Sequence, residues 1–458
     1  MKVPWSSDEW QRVVVYGMGR SGLAAAHFLR SRDVEVVAVD GRDDVDLGEL
    51  GADAGVTARF GTEPTAPDVG VDGVVLSPGV ASSRPFVAAA HRAGIPVIGE
   101  VELAFPFLEG PVIGVTGSNG KSTTASLVAE MLRCAELPGV LCGNIGEPLT
   151  SKIDGAGGRI FVVELSSFQL ETVKTFRARA AALVNVSPDH LDRYAGLDSY
   201  AAAKERIFER QTSDDTAVLN ADDELSTRAA TRVEEARVRY FSRRSRVADG
   251  CWTDGNTVVE SEPGTSAEEV FRIDEIRLEG TVNLENAMAA TLLARALGAD
   301  REHVRRGVAG FDGLAHRLVR IADLDGVCFY DDSKGTNVGA TRQSLAGFAD
   351  SSVHLILGGT SKGADFAPLV ETVETKARCA YLIGEAAAEI AATLAGRVAI
   401  DRSDTLERAV CRAAEAARAG EAVVLSPACA SFDQFANFEE RGDRFQELVS
   451  ELAEARRG

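Results

Sequence analysis

The chain has 458 residues, too many for one ordinary hydrophobic core, and its length calls for about three domains, which a 45% share of hydrophobic residues can fill. The formal net charge of −20 argues against a nucleic-acid partner, because a polyanion needs a basic face and no Lys/Arg run supplies one. Seven cysteines without a C-x-x-C pair or zinc spacing, no apolar run of membrane-spanning length and no charged-then-apolar leader together lead us to expect a soluble, cytoplasmic protein away from membranes.

Over residues 1–110, the apolar run Val13–Tyr16 leads into Gly17-Met-Gly-Arg-Ser-Gly22 and then a stretch of helical apolar spacing, Leu23 to Arg30. That is a strand, a G-x-G-x-x-G turn and a helix. A second strand, Val34 to Asp40, ends in an acid at the distance where dinucleotide folds place a ribose carboxylate. Such a turn accepts any diphosphate, so NAD and other nucleotides both remain open. Gly73 to Leu76 is another buried strand ending in the turn Ser77-Pro-Gly79, and Ile95 to Ile98 follows a closing helix. Repeated strand–helix units imply a parallel sheet with ligands at the carboxyl ends of its strands. Ser21, Arg42 and Ser77 are candidate liners there, and each could equally serve as a cap or turn residue.

Residues 111–312 open on Pro111-Val-Ile-Gly-Val-Thr-Gly-Ser-Asn-Gly-Lys121-Ser-Thr-Thr, which reads as strand, phosphate-cradling loop and helix, although the strict motif asks for glycine where Val115 stands. Backbone N–H groups of Gly117, Ser118, Asn119 and Gly120 would face phosphate, Lys121 would reach the outer phosphates, and the hydroxyl of Ser122 or Thr123 would hold Mg²⁺. A nucleoside triphosphate is therefore the expected ligand. Glu164 ends an apolar strand, where an acid can hold a metal beside phosphate or simply begin a helix. His190, between Asp189 and Asp192 at another strand end, is a ligand or acid–base candidate. Lys204, on a helical segment, reads by itself as a solvated surface lysine. Short β-prone runs over 236–280, with the turn Thr253-Asp-Gly-Asn, predict added hairpins, and Asn283 and Asn286 share one face of the helix that follows.

Residues 313–458 begin at a junction containing His316-Arg317. Three strands then end in polar turns, at Asp331-Asp332-Ser-Lys-Gly-Thr336, at Gly359-Thr-Ser-Lys362 and at Ser426-Pro-Ala-Cys-Ala-Ser431, so a further open α/β sheet carries a site along one edge. Phe438, Phe445, Leu448, Val449 and Leu452 have helical spacing among charges and predict a docking helix.

Taken together and in this order, Thr116–Thr123, Gly143-Asn-Ile-Gly146, Glu164–Glu171, Asp189–Arg193, Tyr200 with Lys204, His316-Arg317, Asp332–Asn337 and Ser426–Phe435 resemble the Mur ligase family of ATP-dependent amino-acid-adding enzymes, over essentially the whole chain. The resemblance implies three α/β domains: an N-terminal Rossmann-like domain for a UDP-linked substrate, a central P-loop ATPase-like domain and a C-terminal Rossmann-like domain for the amino acid. It is nearest to the branch that adds D-glutamate to UDP-N-acetylmuramoyl-L-alanine in peptidoglycan synthesis. By the same resemblance the glycine turn binds a uridine nucleotide and no nicotinamide. Ser21, Arg42, Ser77, Gly79, Asn144, Ser166 and Gln169 fall on the UDP-substrate side. Residues Gly117 to Thr123, Asn286, Arg317 and Asp332 fall on the ATP side, and Thr336, Lys362, Ser431 and Phe438 hold D-glutamate. Two Mg²⁺ sites draw on Ser122, Glu164, His190 and Lys204, the last as a CO₂-derived carbamate, which turns a repelling ammonium into an anionic oxygen ligand. The catalytic group is thus Lys121, Glu164, His190 and Lys204, in an enzyme expected to be monomeric.

The implied reaction passes through an acyl phosphate, with closure of the C-terminal domain about a hinge near Gly313 to exclude water. Two departures from the family pattern are visible, Val282 in place of histidine and Thr360 in place of an acid. The nearest competing readings are a sister Mur-type ligase, whose usual Asp-Asn-Pro-Arg motif is absent here, and a folylpolyglutamate-type ligase, which lacks a nucleotide domain ahead of the phosphate loop.

Overall fold

The computed structural model describes residues 1–2, 9–67, 70–155, 157–190, 193–278, 280–361 and 363–457, so Lys362, and Asp192 of the His190 motif, lie outside the described residues. Five short strands, β1 (Arg12–Tyr16), β2 (Glu35–Asp40), β3 (Val56–Phe60), β4 (Gly73–Leu76) and β5 (Val97–Gly99), pair in parallel in the order β3-β2-β1-β4-β5. The valine runs of β1 and β2 are buried on successive residues, as a sheet covered on both faces demands. After β3 the chain crosses from one side of β1 to the other, and this reversal opens a crevice at the carboxyl ends of β1 and β4.

The second sheet contains β6 (Val112–Thr116), β7 (Gly139–Gly143), β8 (Ile160–Glu164), β9 (Ala180–Leu183), β10 (Thr216–Asn220), β11 (Arg237–Ser242), β12 (Gly250–Asp254), β13 (Thr257–Ser261) and β14 (Glu268–Arg272). Its order is β14-β13-β12-β11-β10-β9-β6-β8-β7. The hairpins expected over 236–280 are β12–β13–β14, antiparallel, with Asp254 opposite Thr257 across a two-residue turn.

The third sheet comprises β15 (Val319–Leu324), β16 (Val327–Asp331), β17 (Val353–Gly358), β18 (Ala377–Ile383), β19 (Ala399–Asp404) and β20 (Ala422–Leu425), ordered β15-β16-β20-β17-β18-β19 with only the edge strand β15 antiparallel. Alternation along β17 sends Leu355 and Leu357 into one core and Ile356 into the other. The expected docking helix, Phe438–Arg457, buries Phe445, Leu448 and Val449 in the second of these.

Each of the segments 1–110, 111–312 and 313–458 carries one sheet. By contact the chain forms two units, one of Met1–Val186, Asp198–Ile273 and Asn286–Val308, the other of Ser187–Leu197, Asp274–Glu285 and Ala309–Gly458. Among the described residues no helix is long and apolar enough to cross a membrane.

The first two sheets are joined by the short helix Glu100–Ala104, whose residues are all buried, acids included. Glu102 accepts the backbone N–H of Lys174 (2.8 Å), Thr175 (2.7 Å) and Phe176 (3.1 Å) and the Thr175 hydroxyl (2.6 Å). Glu100 accepts the Thr150 N–H at 2.6 Å and its hydroxyl at 2.7 Å, and burial raises its carboxyl above the ordinary value. A carboxylate buried with this many donors holds those donors as much as they hold it. Glu102→Ala should therefore cost about 3 kcal/mol, because it strands one buried and two part-buried N–H groups at once, and urea unfolding of the variant measures it.

Candidate active site

β6 delivers Thr116, the chain turns through Gly117 to Gly120, and the helix Lys121–Cys134 begins. Gly120 has φ +81°, and a Cβ there would stand 2.2 Å from Asn286 Oδ1, so two constraints exclude a side chain. Asn185 clamps the turn: its carbonyl accepts the Ser118 N–H (2.9 Å), its Oδ1 accepts the Asn119 N–H (2.9 Å), and its amide donates to the Asn119 carbonyl (3.1 Å). Lys121 Nζ curls back to donate to the carbonyls of Gly117 (3.0 Å) and Ser118 (2.8 Å). Thr123 is buried beside it, and the Thr124 hydroxyl donates to Asn286 Oδ1 at 3.3 Å.

Lys204 departs from its reading as a surface lysine. It is 1% exposed, it donates to the same Gly117 carbonyl at 2.7 Å, and its ammonium lies 4.3 Å from the centre of the Tyr200 ring. The helix Leu197–Glu205 turns this residue inward, and sequence spacing alone could not show which face would be covered. Glu164, 2% exposed, ends β8 alongside. Its Oε2 accepts the Ser122 hydroxyl at 2.5 Å and its Oε1 accepts the Asn144 amide at 2.8 Å.

Asn144 also lines a cavity of about 710 Å³ at the carboxyl ends of the first sheet, together with Ser21, Arg42, Ser77, Gly79 and Gln169. Ser166 is absent from that lining. It forms a capping box on the helix Ser167–Leu170, its hydroxyl accepting the Gln169 N–H while Gln169 Oε1 accepts the Ser166 N–H at 2.9 Å. Gln169 is therefore held in register by Ser166. In the glycine turn, Gly22 must lack a side chain, since a Cβ would meet the Gly17 carbonyl oxygen at 1.9 Å. Asp40 accepts the N–H of Met18 (2.7 Å) and three donors from Arg42 (each 3.0 Å), and Arg42 holds its carboxyl down at about 2. The acid thus fixes a guanidinium at the mouth of the cavity.

In the C-terminal unit the polar turns after β16, β17 and β20 converge. Ala428 N–H donates to the Gly335 carbonyl at 2.8 Å, and Thr360 and Ala430 exchange backbone bonds at 2.9 and 3.0 Å. Arg441 links the first and third turns, donating to Ser333 Oγ (3.0 Å), to the Ser333 carbonyl (2.8 Å) and to the Cys429 carbonyl (3.2 Å). It is 1% exposed, and burial lowers its guanidinium to about 10, which leaves it charged at neutral pH. Sequence reading passed over Arg441, which stands among the charges of the docking helix and resembles them. It also passed over Lys334, whose ammonium lies 3.6 Å from the centre of the Phe438 ring. Thr336 follows this lysine in the loop, and Ser431 is buried at the end of the third turn.

The aspartate that ends β16 and the one that follows it divide their work. Asp331 takes His316 Nδ1 at 2.7 Å and the Gln446 amide at 2.8 Å, and this partnership raises the His316 pKa. Asp332 accepts the hydroxyls of Ser344 (2.7 Å) and Ser426 (2.6 Å), but burial dominates and pushes its carboxyl from 3.8 to about 6, while Arg317 draws it down less strongly. The folded chain then keeps a proton that the unfolded chain releases, so this contribution is full below 3.8 and lost as the pH rises through about 6. Asp332→Asn should flatten that loss and, above pH ~7, stabilise the protein by on the order of 2 kcal/mol in urea unfolding.

The residues expected at metal behave differently from one another. Ser122 and Glu164 are in contact, Lys204 shares a carbonyl with Lys121, and His190 lies in Ser187–Leu197, which belongs by contact to the C-terminal unit. Among the described residues no group of three or more His, Cys, Asp or Glu converges as a metal site. The expected set relies instead on one hydroxyl, one carboxylate, one imidazole and one lysine.

Three α/β sheets, with a phosphate loop at the carboxyl end of an interior strand of the second and polar turns at the carboxyl ends of strands in the others, define a three-domain nucleotide-using protein. The chain belongs to the Mur ligase family. The Mur ligase MurD-like N-terminal domain matches residues 11–99, the Mur ligase middle domain residues 115–294, and the Mur ligase glutamate ligase domain residues 316–429. The UDP-N-acetylmuramoylalanine–D-glutamate ligase of Pelotomaculum thermopropionicum is 43% identical over 96% of this chain and 98% of its own. The relative of the same name from Koribacter versatilis is 42% identical over 97% and 98%. Among solved structures, MurF ligase from Thermotoga maritima in complex with ADP shares the fold, with a TM-score of 0.61, 17% identity and coverage of 98% and 96%.

Proposed function

We propose that this chain joins D-glutamate to UDP-N-acetylmuramoyl-L-alanine in an ATP-dependent step of peptidoglycan precursor synthesis. The observation that carries the reading is the shared carboxylate of Glu164, one oxygen on Ser122 of the phosphate loop and the other on Asn144 of the cavity wall. A substrate in the cavity and a triphosphate on the loop would meet there, and the relatives at 42–43% identity carry the matching name.

The substrate carboxylate attacks the γ-phosphorus of ATP, giving an acyl phosphate and ADP. The D-glutamate amine then attacks the acyl carbon, phosphate leaves, and an amide remains. Arg42, fixed by Asp40, and Ser21, Ser77, Gly79, Asn144, Ser166 and Gln169 would hold or frame the UDP-linked substrate. The Gly117–Thr123 turn would cradle phosphate, with Asn286, Arg317 and Asp332 toward adenosine. Lys121 would leave its carbonyl partners for the outer phosphates and offset the repulsion between two anions. Thr336, Ser431 and Phe438 would position D-glutamate, together with Lys362.

Ser122 and Glu164, a buried hydroxyl beside a buried carboxylate, form a donor pair that suits Mg²⁺, with His190 and Lys204 assigned to a second ion. As an ammonium Lys204 is no ligand, whereas the carbamate formed by its amine and CO₂, with release of a proton, is one. Mg²⁺, when bound, supplies charge neutralisation for phosphoryl transfer. We assign the protein to the cytoplasm as a monomer without a membrane partner, and its net charge of −20, which repels polyanions, speaks against a nucleic-acid partner.

Phosphate release measured with ATP, UDP-N-acetylmuramoyl-L-alanine and a panel of amino acids tests this reading. Turnover with D-glutamate alone is the expected result. Turnover with a diamino acid, or with a folate in place of the UDP substrate, would move the chain to another branch.

A further inference from the structure

We infer that Asp189 and Asn337 are positioning residues for His190, forming a latch that ties the histidine's turn to the loop carrying Thr336. Asp189 Oδ1 accepts the His190 backbone N–H at 2.9 Å. Its Oδ2 accepts the Asn337 amide at 3.0 Å and lies 3.7 Å from His190 Nε2. One carboxylate thus fixes the backbone of the histidine, faces its ring and reaches a residue 148 positions along the chain.

Asn337 is itself immobilised. Its Oδ1 accepts the Ala340 N–H at 2.8 Å as the N-cap of the helix Val338–Leu345, and it directly follows Thr336. His190 has φ +54°, a left-handed conformation that a side chain disfavours by ~1 kcal/mol and that persists where its contacts over-determine it. The Arg193 N–H donating to the His190 carbonyl at 2.9 Å closes the same turn. In sequence Ser187–Leu197 leaves β9 of the second sheet, yet by contact it belongs to the C-terminal unit, and Asp189–Asn337 is a bond that places it there. The histidine and the loop carrying Thr336 are therefore set together. The task assigned to this coupling rests on the ligase reading above, while the coupling itself is structural.

Two variants and two readouts test the latch. Asn337→Asp keeps the capping oxygen but sets a carboxylate against Asp189. The double variant Asp189→Asn/Asn337→Asp reverses donor and acceptor, so the bond re-forms and the amide carbonyl at 189 still accepts the His190 N–H. In ligand-free protein, hydrogen–deuterium exchange over 187–197 should rise in the single variant and return in the double. D-glutamate-dependent kcat should fall about 10²-fold and recover likewise, with the KM for ATP and the melting temperature held. Should the like-charge pair unfold the loop, Asn337→Ser, with a capping oxygen too short to reach Asp189, should give the same exchange and kcat changes in a folded protein. Unchanged exchange in the single variants, or a swap that restores neither readout, overturns the latch. A wild-type protein without D-glutamate-dependent phosphate release overturns the ligase reading instead, and the exchange measurement still decides the latch.

Discussion

Lys204→Ala should lower kcat by about 10³-fold or more while leaving the protein folded. The residue is buried against Tyr200 and hydrogen-bonded to the Gly117 carbonyl, so its removal takes away a group bonded to the turn that would receive the triphosphate. Loss of packing alone would appear as a lower melting temperature, and loss of an anionic ligand as a lower kcat. Lys204→Arg separates charge from carbamate, since a guanidinium keeps the cation but cannot take up CO₂ as an amine does. Equal loss in the two variants, with a carbamate carbon signal in ¹³CO₂-treated wild type that both lack, is the expected outcome. An active Lys204→Arg enzyme would remove the carbamate from the proposal.

Lys121→Ala should reduce kcat by about 10²- to 10³-fold, with little change in the KM for the UDP-linked substrate. Its ammonium now rests on two carbonyls of the loop, within a short swing of any phosphate held there. The first chemical step brings a carboxylate against a polyphosphate, and a charge aimed at the transferring group acts most strongly in that transition state. Single-turnover phosphate release is the informative assay. A variant whose KM for ATP rises while its kcat stays intact would assign Lys121 to ground-state binding alone.

Many strands of the three sheets could be read from the sequence because buried parallel strands are continuous apolar runs that end in glycine or polar turns, whereas β3, β10, β15, β18 and β19, which do not end in a recognised motif, were not read. Val13–Tyr16, Ile160–Val163 and Val353–Leu357 are such runs, and each lies on a strand. What escaped were features whose partners are remote in sequence. Glu100 and Glu102 look like solvated helix acids until residues 148–152 and 172–176 fold against them. Lys204 and Arg441 look like surface charges for the same reason. Asp331 and Asp332 are adjacent and chemically identical, and only the strand's alternation decides which one faces His316 and which one the serines. Ser166 carries a side chain suited to the cavity, yet its capping of a one-turn helix depends on backbone angles that composition does not reveal.

The two acids of the helix Glu100–Ala104 also bear on how this protein can be taken apart. A fragment cut near residue 110 would carry both carboxylates away from the six donors bonded to them, at Thr150 and at Lys174 to Phe176. The donor half would keep polar groups made to be covered, and the acid half would expose a helix whose every residue is buried in the whole chain. The boundary drawn by motif is therefore a poor place for scissors: the first two sheets are one piece for expression, and any truncated form made to study the nucleotide sites should run through both.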